Sequence, residues 1–403
     1  MRELTSGNRD TRTNLPAALE QDGNRLDVAI IGRSRNGQPM DDEKATDLLA
    51  LLHAAAENEA SDVHLVPGYP PMFRIHGRLQ PAGDTTLEPE QVKRMVEFIA
   101  PDRVRGRLHE IRNLDSSIGI THEGSQFRFR ANLFLAQGNW CACLRRISQE
   151  IPSFEWLGFP ESLAQQLVSW PSGLVIIAGV TGSGKSSTLA ALIDLLRKQS
   201  ERRILTIEEP IEFLYPPGGG GLVSQREVGR DVDSFADGLK YGLRQDPDVI
   251  LVGEIRDRET ARIALTAAET GHLILTTMHT RDAKGALTRL VDLFPHAAQE
   301  DVRKQIAMSL RSVVSQHLLP STADGEKRVL ALEVLHINQQ VQVAIRAGKI
   351  ESIESAIQTG KRDGMIMLDD DLQRLVALGK ISPETARRFA KDPASIVGSG
   401  RNW

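Results

Sequence analysis

Apolar positions along this chain change their period twice. Over residues 45–60, ATDLLALLHAAAENEA, Leu48, Leu51, Leu52 and Ala55 recur at helical spacing, which predicts an amphipathic helix. MFRIHGRL (72–79) then alternates Phe73, Ile75 and Leu79 with polar residues, and QFRFRANLF (126–134) does the same with Phe127, Phe129, Ala131 and Leu133. Alternation at period two marks half-buried strands. LEPEQVKRMVEFIA (87–100), between them, reads as a second helix. Residues 45–150 are therefore expected to form a small α+β domain, with IPSFEWLGFP (151–160), bounded by prolines 152 and 160, as a linker.

Beyond Glu161 the pattern becomes one of unbroken apolar runs: LVIIAGV (174–180), RRILTIEE (202–209), PDVILVGEI (247–255) and GHLILTTMH (271–279). A strand that is apolar at every residue is buried on both faces. Such strands alternating with helices predict an α/β domain around a mostly parallel sheet. From about Ala297 the chain reads as largely helical, so 161–390 is expected as one domain with a helical C-terminal part and 391–403 as a flexible tail. Residues 1–44, rich in Arg, Asn, Gly, Asp and Gln, are expected as a mostly disordered arm.

Composition removes several function classes. Across 403 residues, 49 Lys and Arg stand against 53 Asp and Glu, a net charge of -4, which is not the footprint of a general nucleic-acid binder. Aromatics at 4% leave little for base stacking, so neither a helicase nor any nucleic-acid partner is expected. Cys141 and Cys143 are too few for a disulfide framework or a closed cysteine zinc site and are expected as packing thiols. No apolar stretch reaches the ~18 to 20 residues of a spanning helix. The expected location is cytoplasmic, with no membrane insertion.

One run carries specific chemistry. Gly179-Val180-Thr181-Gly182-Ser183-Gly184-Lys185-Ser186, with Ser187 after it, satisfies G-x-x-x-x-G-K-[ST] between an apolar strand and a helical SSTLAALIDLLRK. Glycines let the backbone curl so that its N–H groups point inward, and the helix N-terminus adds positive potential. Lys185 is then placed to neutralise β- and γ-phosphates, and the Ser186 hydroxyl to ligate Mg²⁺. Three other apolar strands end in candidate chemistry: Glu208, Glu209 and Glu212 in ILTIEEPIEF (204–213), Glu254 in DPDVILVGEIRD (246–257), and His279 in HLILTTMHT (272–280). Ligands of open α/β sheets sit at carboxyl ends of strands. Ser186, Glu208 and Glu254 are the candidate Mg²⁺ ligands of a hydrolytic site for a nucleotide. A nucleotide-binding scaffold that hydrolyses little remains the competing reading.

With these residues in place the chain resembles the secretion ATPase superfamily, and within it the PilT-type motors of type IV pili. ASDVHLVPGYPPMFRIHGRL, RFRANLF, the phosphate loop, TIEEPIEF, LVSQREVGRD, LKYGLRQDPDVILVGEIRDRETARIALTAAETGHL, TTMHT, SAIQTG and GMIMLDDDL carry the resemblance over about residues 45–390. It implies a PAS-like domain joined to a RecA-like ATPase domain, ATP at their junction, a homo-hexamer and pilus retraction, with an inner-membrane platform protein as partner. It also implies Glu212 as the base that activates water, Glu254 as a support for Mg²⁺ or the water, and His279 at the γ-phosphate. Arg128, Arg130 and Arg145 would reach ATP held by a neighbouring unit. The chain departs from the family at Glu209, where an aspartate is usual, and at VQVAIRAGKI (341–350), only partly similar to a helix of retraction motors. PPGGGG (216–221) replaces a more polar loop and suggests a mobile connection. A type II or type IV secretion motor is the nearest alternative.

Overall fold

The computed structural model describes residues 42–75, 77–122, 125–147, 150–322 and 328–397. Contacts divide the chain into two units between Gln149 and Glu150. The first contains α1 (Asp42–Glu57), β1 (Asp62–Leu65), β2 (Met72–Ile75), β3 (Arg78–Pro81), α2 (Pro89–Ile99), α3 (Asp102–Arg105), β4 (Asn113–His122), β5 (Ser125–Ala136) and β6 (Asn139–Ile147). Among the described residues its strands form an antiparallel sheet in the order β3-β2-β1-β6-β5-β4. Phe129, Ala131 and Leu133 of β5 and Val63 and Leu65 of β1 pack with Leu48 and Leu52 of α1 and Val92, Met95 and Val96 of α2. Alternation sends the intervening residues to the opposite face of the sheet, which is polar.

Two expectations shift here. MFRIHGRL is a hairpin, β2 and β3, with Gly77 at φ +78 in the turn, so Leu79 falls on an exposed edge strand. A positive φ costs glycine nothing, and that residue breaks the single strand that alternation predicts. Helix α1 begins at Asp42, inside the span expected as an arm; residues 1–41 of that arm lie outside the described residues.

The second unit contains α4 (Phe154–Leu157), α5 (Glu161–Ser169), β7 (Gly173–Ala178), α6 (Lys185–Gln199), β8 (Arg203–Glu208), β9 (Leu222–Glu227), α7 (Phe235–Gly242), β10 (Val249–Val252), α8 (Arg258–Glu269), β11 (Leu273–Met278) and α9 (Ala283–Asp292). It continues with α10 (Gln299–Ser309), β12 (Leu310–Leu319), β13 (Val329–His336), α11 (Gln339–Arg346), α12 (Ile353–Thr359), α13 (Leu368–Ala377) and α14 (Pro383–Phe389). Among the described residues its sheet runs β13-β12-β7-β11-β10-β8-β9, parallel except for the β12–β13 pair. Leu174, Ile176 and Ala178 of β7 join a core with α7, α8, α9 and α10. Val175 and Ile177, pointing the other way, pack with Leu163 and Leu167 of α5 and Leu192, Ile193 and Leu196 of α6. Burial on both faces explains the unbroken apolar runs. Ser234, Asp257, Asp282 and Asn338 each cap a helix by accepting a backbone N–H three residues on.

The largely helical last third is corrected by β12 and β13, whose LRSVVSQHLL and VLALEVLH extend the sheet beyond β7. Their apolar runs are short and rich in β-branched Val, where sheet neighbours outweigh helical spacing. The 151–160 segment holds α4, and Phe159 is buried in the core shared by α5 and α6. Residues 391–397, expected within the tail, are packed: Ile396 is buried with Leu372, Leu375 and Ile381, and the Asp369 carboxylate accepts the Lys391 and Asp392 amides, each at 2.8 Å. Residues 398–403 lie outside the described residues.

The glycine run 216–221 is not a loose connection either. Arg197, held by Asp194 at 2.7 Å, donates to the Gly218 carbonyl at 2.6 Å. The chain then crosses the end of α6 so closely that a Cβ on Gly220 would lie 2.7 Å from the Ser200 carbonyl oxygen. These glycines are there for backbone-to-backbone approach. Gly220→Ala is expected to destabilise the protein by about 1–3 kcal/mol, read as a lowered urea midpoint.

Candidate active site

The phosphate loop turns sharply at the carboxyl end of β7 because three glycines adopt positive φ: Gly179 at +151, Gly182 at +78 and Gly184 at +88. A Cβ on Gly179 would collide with Ser183 Oγ and lie 2.8 Å from the Gln316 carbonyl oxygen. Only glycine closes this curl. Lys185, first residue of α6, is buried, and its Nζ donates to the carbonyls of Gly179 at 2.9 Å and Val180 at 3.0 Å. Burial pushes its pKa below the ordinary lysine value, while the charges of Glu254 and Glu212 oppose that shift. Both carboxylates are therefore within electrostatic reach of the same ammonium. Thr181 and Ser186 are exposed, and Ser187 is half-buried.

The sheet order explains how. β11, β10 and β8 follow β7 in parallel, so their carboxyl ends share one edge with the loop. Just beyond β11 and β10, His279 Nε2 lies 3.4 Å from Glu254 Oε2, and Arg256 pairs with Glu254 Oε1. Arg256 also reaches Glu209 Oε2 at 3.1 Å, which ties the glutamate at the family's aspartate position to the Glu254 cluster. Burial and the Lys185 charge hold the His279 imidazole below its usual pKa, against the pull of Glu254.

β8 is three strands from β7, roughly 14 Å at ~4.8 Å per strand. The segment after it carries Glu212 back towards Lys185. Glu208, at the strand end, accepts from Thr206 Oγ1 at 2.6 Å and Gln225 Nε2 at 3.2 Å. Burial dominates its titration and, despite these bonds and one from the Glu212 amide, pushes its carboxyl up to about 7. The sheet edge thus brings together the loop 179–187, Glu212, Glu254 and His279.

Arg128, Arg130 and Arg145 belong to the first unit. Arg130 lies opposite Arg145, and Arg145 opposite Asp62, across adjacent strands, so they share the polar face of that sheet with Arg128. Arg145 donates to Asp62 Oδ1 at 2.8 Å. Burial raises the Asp62 carboxyl, and bonds from Arg145 and Ser61 outweigh it, leaving the pKa below its ordinary value. Arg130 stands 3.9 Å from Asp115, and Arg128 is buried with a bond to Ser117 Oγ at 3.1 Å.

Residues 40–398 match the family described as "Type II/IV secretion system protein". The chain belongs to that family. Within the type II/IV secretion family it is 42% identical over 350 residues to "Type IV pilus retractation ATPase PilT" of Pseudomonas aeruginosa, covering 87% of this chain and 100% of that protein. It is 40% identical over 352 residues to "Twitching motility protein" of Neisseria gonorrhoeae, covering 87% and 92%. Its fold superposes on the crystal structure of the pilus retraction motor PilT with bound ADP at a TM-score of 0.77, with 39% identity over 86% of this chain and 98% of that one. The ATPase DotB of Legionella pneumophila follows at 0.69, with 29% identity over 85% and 95%. Recognition of a PilT-type secretion ATPase from the motifs holds, as does the α/β fold with a small N-terminal domain.

Four contacts in this secretion-family site were not read from the sequence. They are Arg256 on Glu254, Gln225 on Glu208, Gln316 Nε2 on Thr188 Oγ1 at 2.7 Å, and Arg328 on the Gly182 carbonyl at 3.1 Å. Arg256, two residues after Glu254, was within reach of a sequence reading; the other pairings join distant segments. Because Lys185 lowers and Glu254 raises the His279 pKa, Lys185→Met is expected to move it up and Glu254→Gln to move it down, followed by NMR titration of the imidazole.

Proposed function

We propose that this chain is an ATP-hydrolysing motor for type IV pilus retraction, the activity behind twitching motility. The reading rests above all on similarity to PilT over all of that protein and 87% of this chain, joined to a buried phosphate-loop lysine within reach of two carboxylates. The residues fit a nucleoside triphosphate. A Cβ would fill the curl at Gly179, and Ser183 Oγ is buried inside it without a hydrogen-bond partner among the described residues. Mg²⁺, when bound, supplies positive charge to the phosphate oxygens where negative charge gathers during transfer. We assign Ser186 and Glu254 to hold it. Glu208 has one oxygen engaged by Thr206 and Gln225 and a pKa near neutrality, so its expected place as a metal ligand gives way to one of holding the Glu212 segment.

Glu212, exposed on an irregular segment and electrostatically coupled to Lys185, is assigned as the base that takes a proton from the attacking water. Lys185 and the loop amides orient the phosphates and offset their charge. His279, beside Glu254, can donate a hydrogen bond at the far end of the triphosphate. Arg256 steadies Glu254.

A ring is part of the proposal: a homo-hexamer in which the Arg128, Arg130 and Arg145 face of one copy serves ATP on its neighbour. Its partner would be the cytoplasmic side of an inner-membrane platform protein. Docking suffices, since no helix of the described residues is long and apolar enough to cross a membrane. A secretion motor is the second reading, favoured by the family description itself. Phosphate release is expected to fall at least ~100-fold in Lys185→Ala and Glu212→Gln, with light scattering in ATP analogue reporting a hexamer for wild type. Equal slow rates in all three proteins would point to a nucleotide-binding scaffold.

A further inference from the structure

Between β8 and β9 the chain passes from Glu209 to Gly221 without helix or strand, and Glu212 lies in that stretch. A backbone with no ladder of its own keeps one conformation only if groups from elsewhere satisfy it. For residues 211–215 those groups come from the edge strand β9. Glu227 Oε2 accepts the Ile211 amide at 3.2 Å. Gln225 Nε2 donates to the Phe213 carbonyl at 2.8 Å and to Glu208 Oε1 at 3.2 Å, while its Oε1 accepts the Tyr215 amide at 3.2 Å. Two acceptors face the nitrogen and one donor faces the oxygen, so a flipped amide would lose all three bonds and the orientation is unique. Ile211, 5% exposed, and Phe213, 9% exposed, turn inward, leaving Glu212 between them turned outward.

We propose that Gln225 is a positioning residue for hydrolysis, its amide fixing residues 213–215 so that the adjoining Glu212 carboxylate is aimed at the attacking water. The proposal rests on the reading of Glu212 as the base. It also accounts physically for the QRE of LVSQREVGRD, since Gln225 and Glu227, two apart on one strand face, grip the segment from below. Misplacing a reacting group by about 1 Å can cost about 100-fold in rate. Loss of these bonds therefore acts on turnover, and the phosphate loop that binds nucleotide is left alone.

The test compares wild type with Gln225→Met, Gln225→Asn, Glu212→Gln and the Gln225→Met/Glu212→Gln double variant, measuring kcat, KM for ATP and affinity for a fluorescent ADP. Gln225→Met is expected to lose about 100-fold in kcat while KM and ADP affinity stay within about threefold, with Gln225→Asn, one methylene short, in between. The double variant is expected to be no slower than Glu212→Gln alone, because the two act as one unit. A wild-type kcat in Gln225→Met overturns the proposal, and so does a double variant much slower than Glu212→Gln. If Gln225→Met does not fold, Gln225→Asn decides: joint loss of kcat, KM and ADP affinity there marks a merely structural glutamine and overturns the proposal. A Glu212→Gln enzyme that turns over at the wild-type rate sinks the base reading instead, a result independent of either Gln225 variant.

Discussion

A lysine ammonium buried under a glycine curl is the constraint on which the ATPase unit depends. Taking a cation out of water is costly unless its donors find acceptors and its charge finds opposite charge. Lys185 finds both, in the carbonyls of Gly179 and Val180 and in the carboxylates of Glu254 and Glu212. The curl needs glycine where a Cβ would meet Ser183 and Gln316. The charges need parallel strands that end on the same edge. A polyanion entering such a site meets a cation already desolvated and already oriented, so little reorganisation remains to be done.

The two carboxylates reach that edge in different ways, and their surroundings give them separate roles. Glu254 is buried, pinned by Arg256 on one oxygen and beside His279 on the other. It is built to stay. Glu212 is exposed on a stretch with no regular structure, and its backbone is held by side chains of the neighbouring edge strand. A proton acceptor must be free to approach water, so firm support below and freedom above suit the role of base proposed for it. Glu208 marks the cost of that support, a carboxyl pushed towards neutrality by burial.

Local packing tells against looseness in places where composition suggests it. The glycines of 216–221 press against the end of α6, and 391–397 closes a small apolar cluster with α13 and α14. Lys391 joins that segment to Glu333 at 2.7 Å, and Glu333 accepts the Ala283 amide at 2.8 Å at the start of α9. The C-terminal segment is therefore bonded, through one buried glutamate, to the helix that follows the His279 strand. In the first unit, Arg145 is held by Asp62, so an arginine that acts elsewhere must exchange one carboxylate for another anion.

Local pattern alone establishes a great deal: the buried strands within 174–180, 247–255 and 271–279, the helix after the phosphate loop, and the loop chemistry. These follow from local rules, since burial on two faces demands unbroken apolar runs and positive φ demands glycine. The same pattern marks Glu212, Glu254 and His279, because strand ends are where chemistry collects. Other features emerge only from long-range packing: that β12 and β13 are strands, that Gln225 holds the Phe213 carbonyl, that Arg256 bridges Glu209 and Glu254, and that Gly220 lies against Ser200. Each is a pairing between segments whose partner no local pattern encodes. Periodicity says which face of an element is buried; what lies against it is settled only when the chain closes on itself.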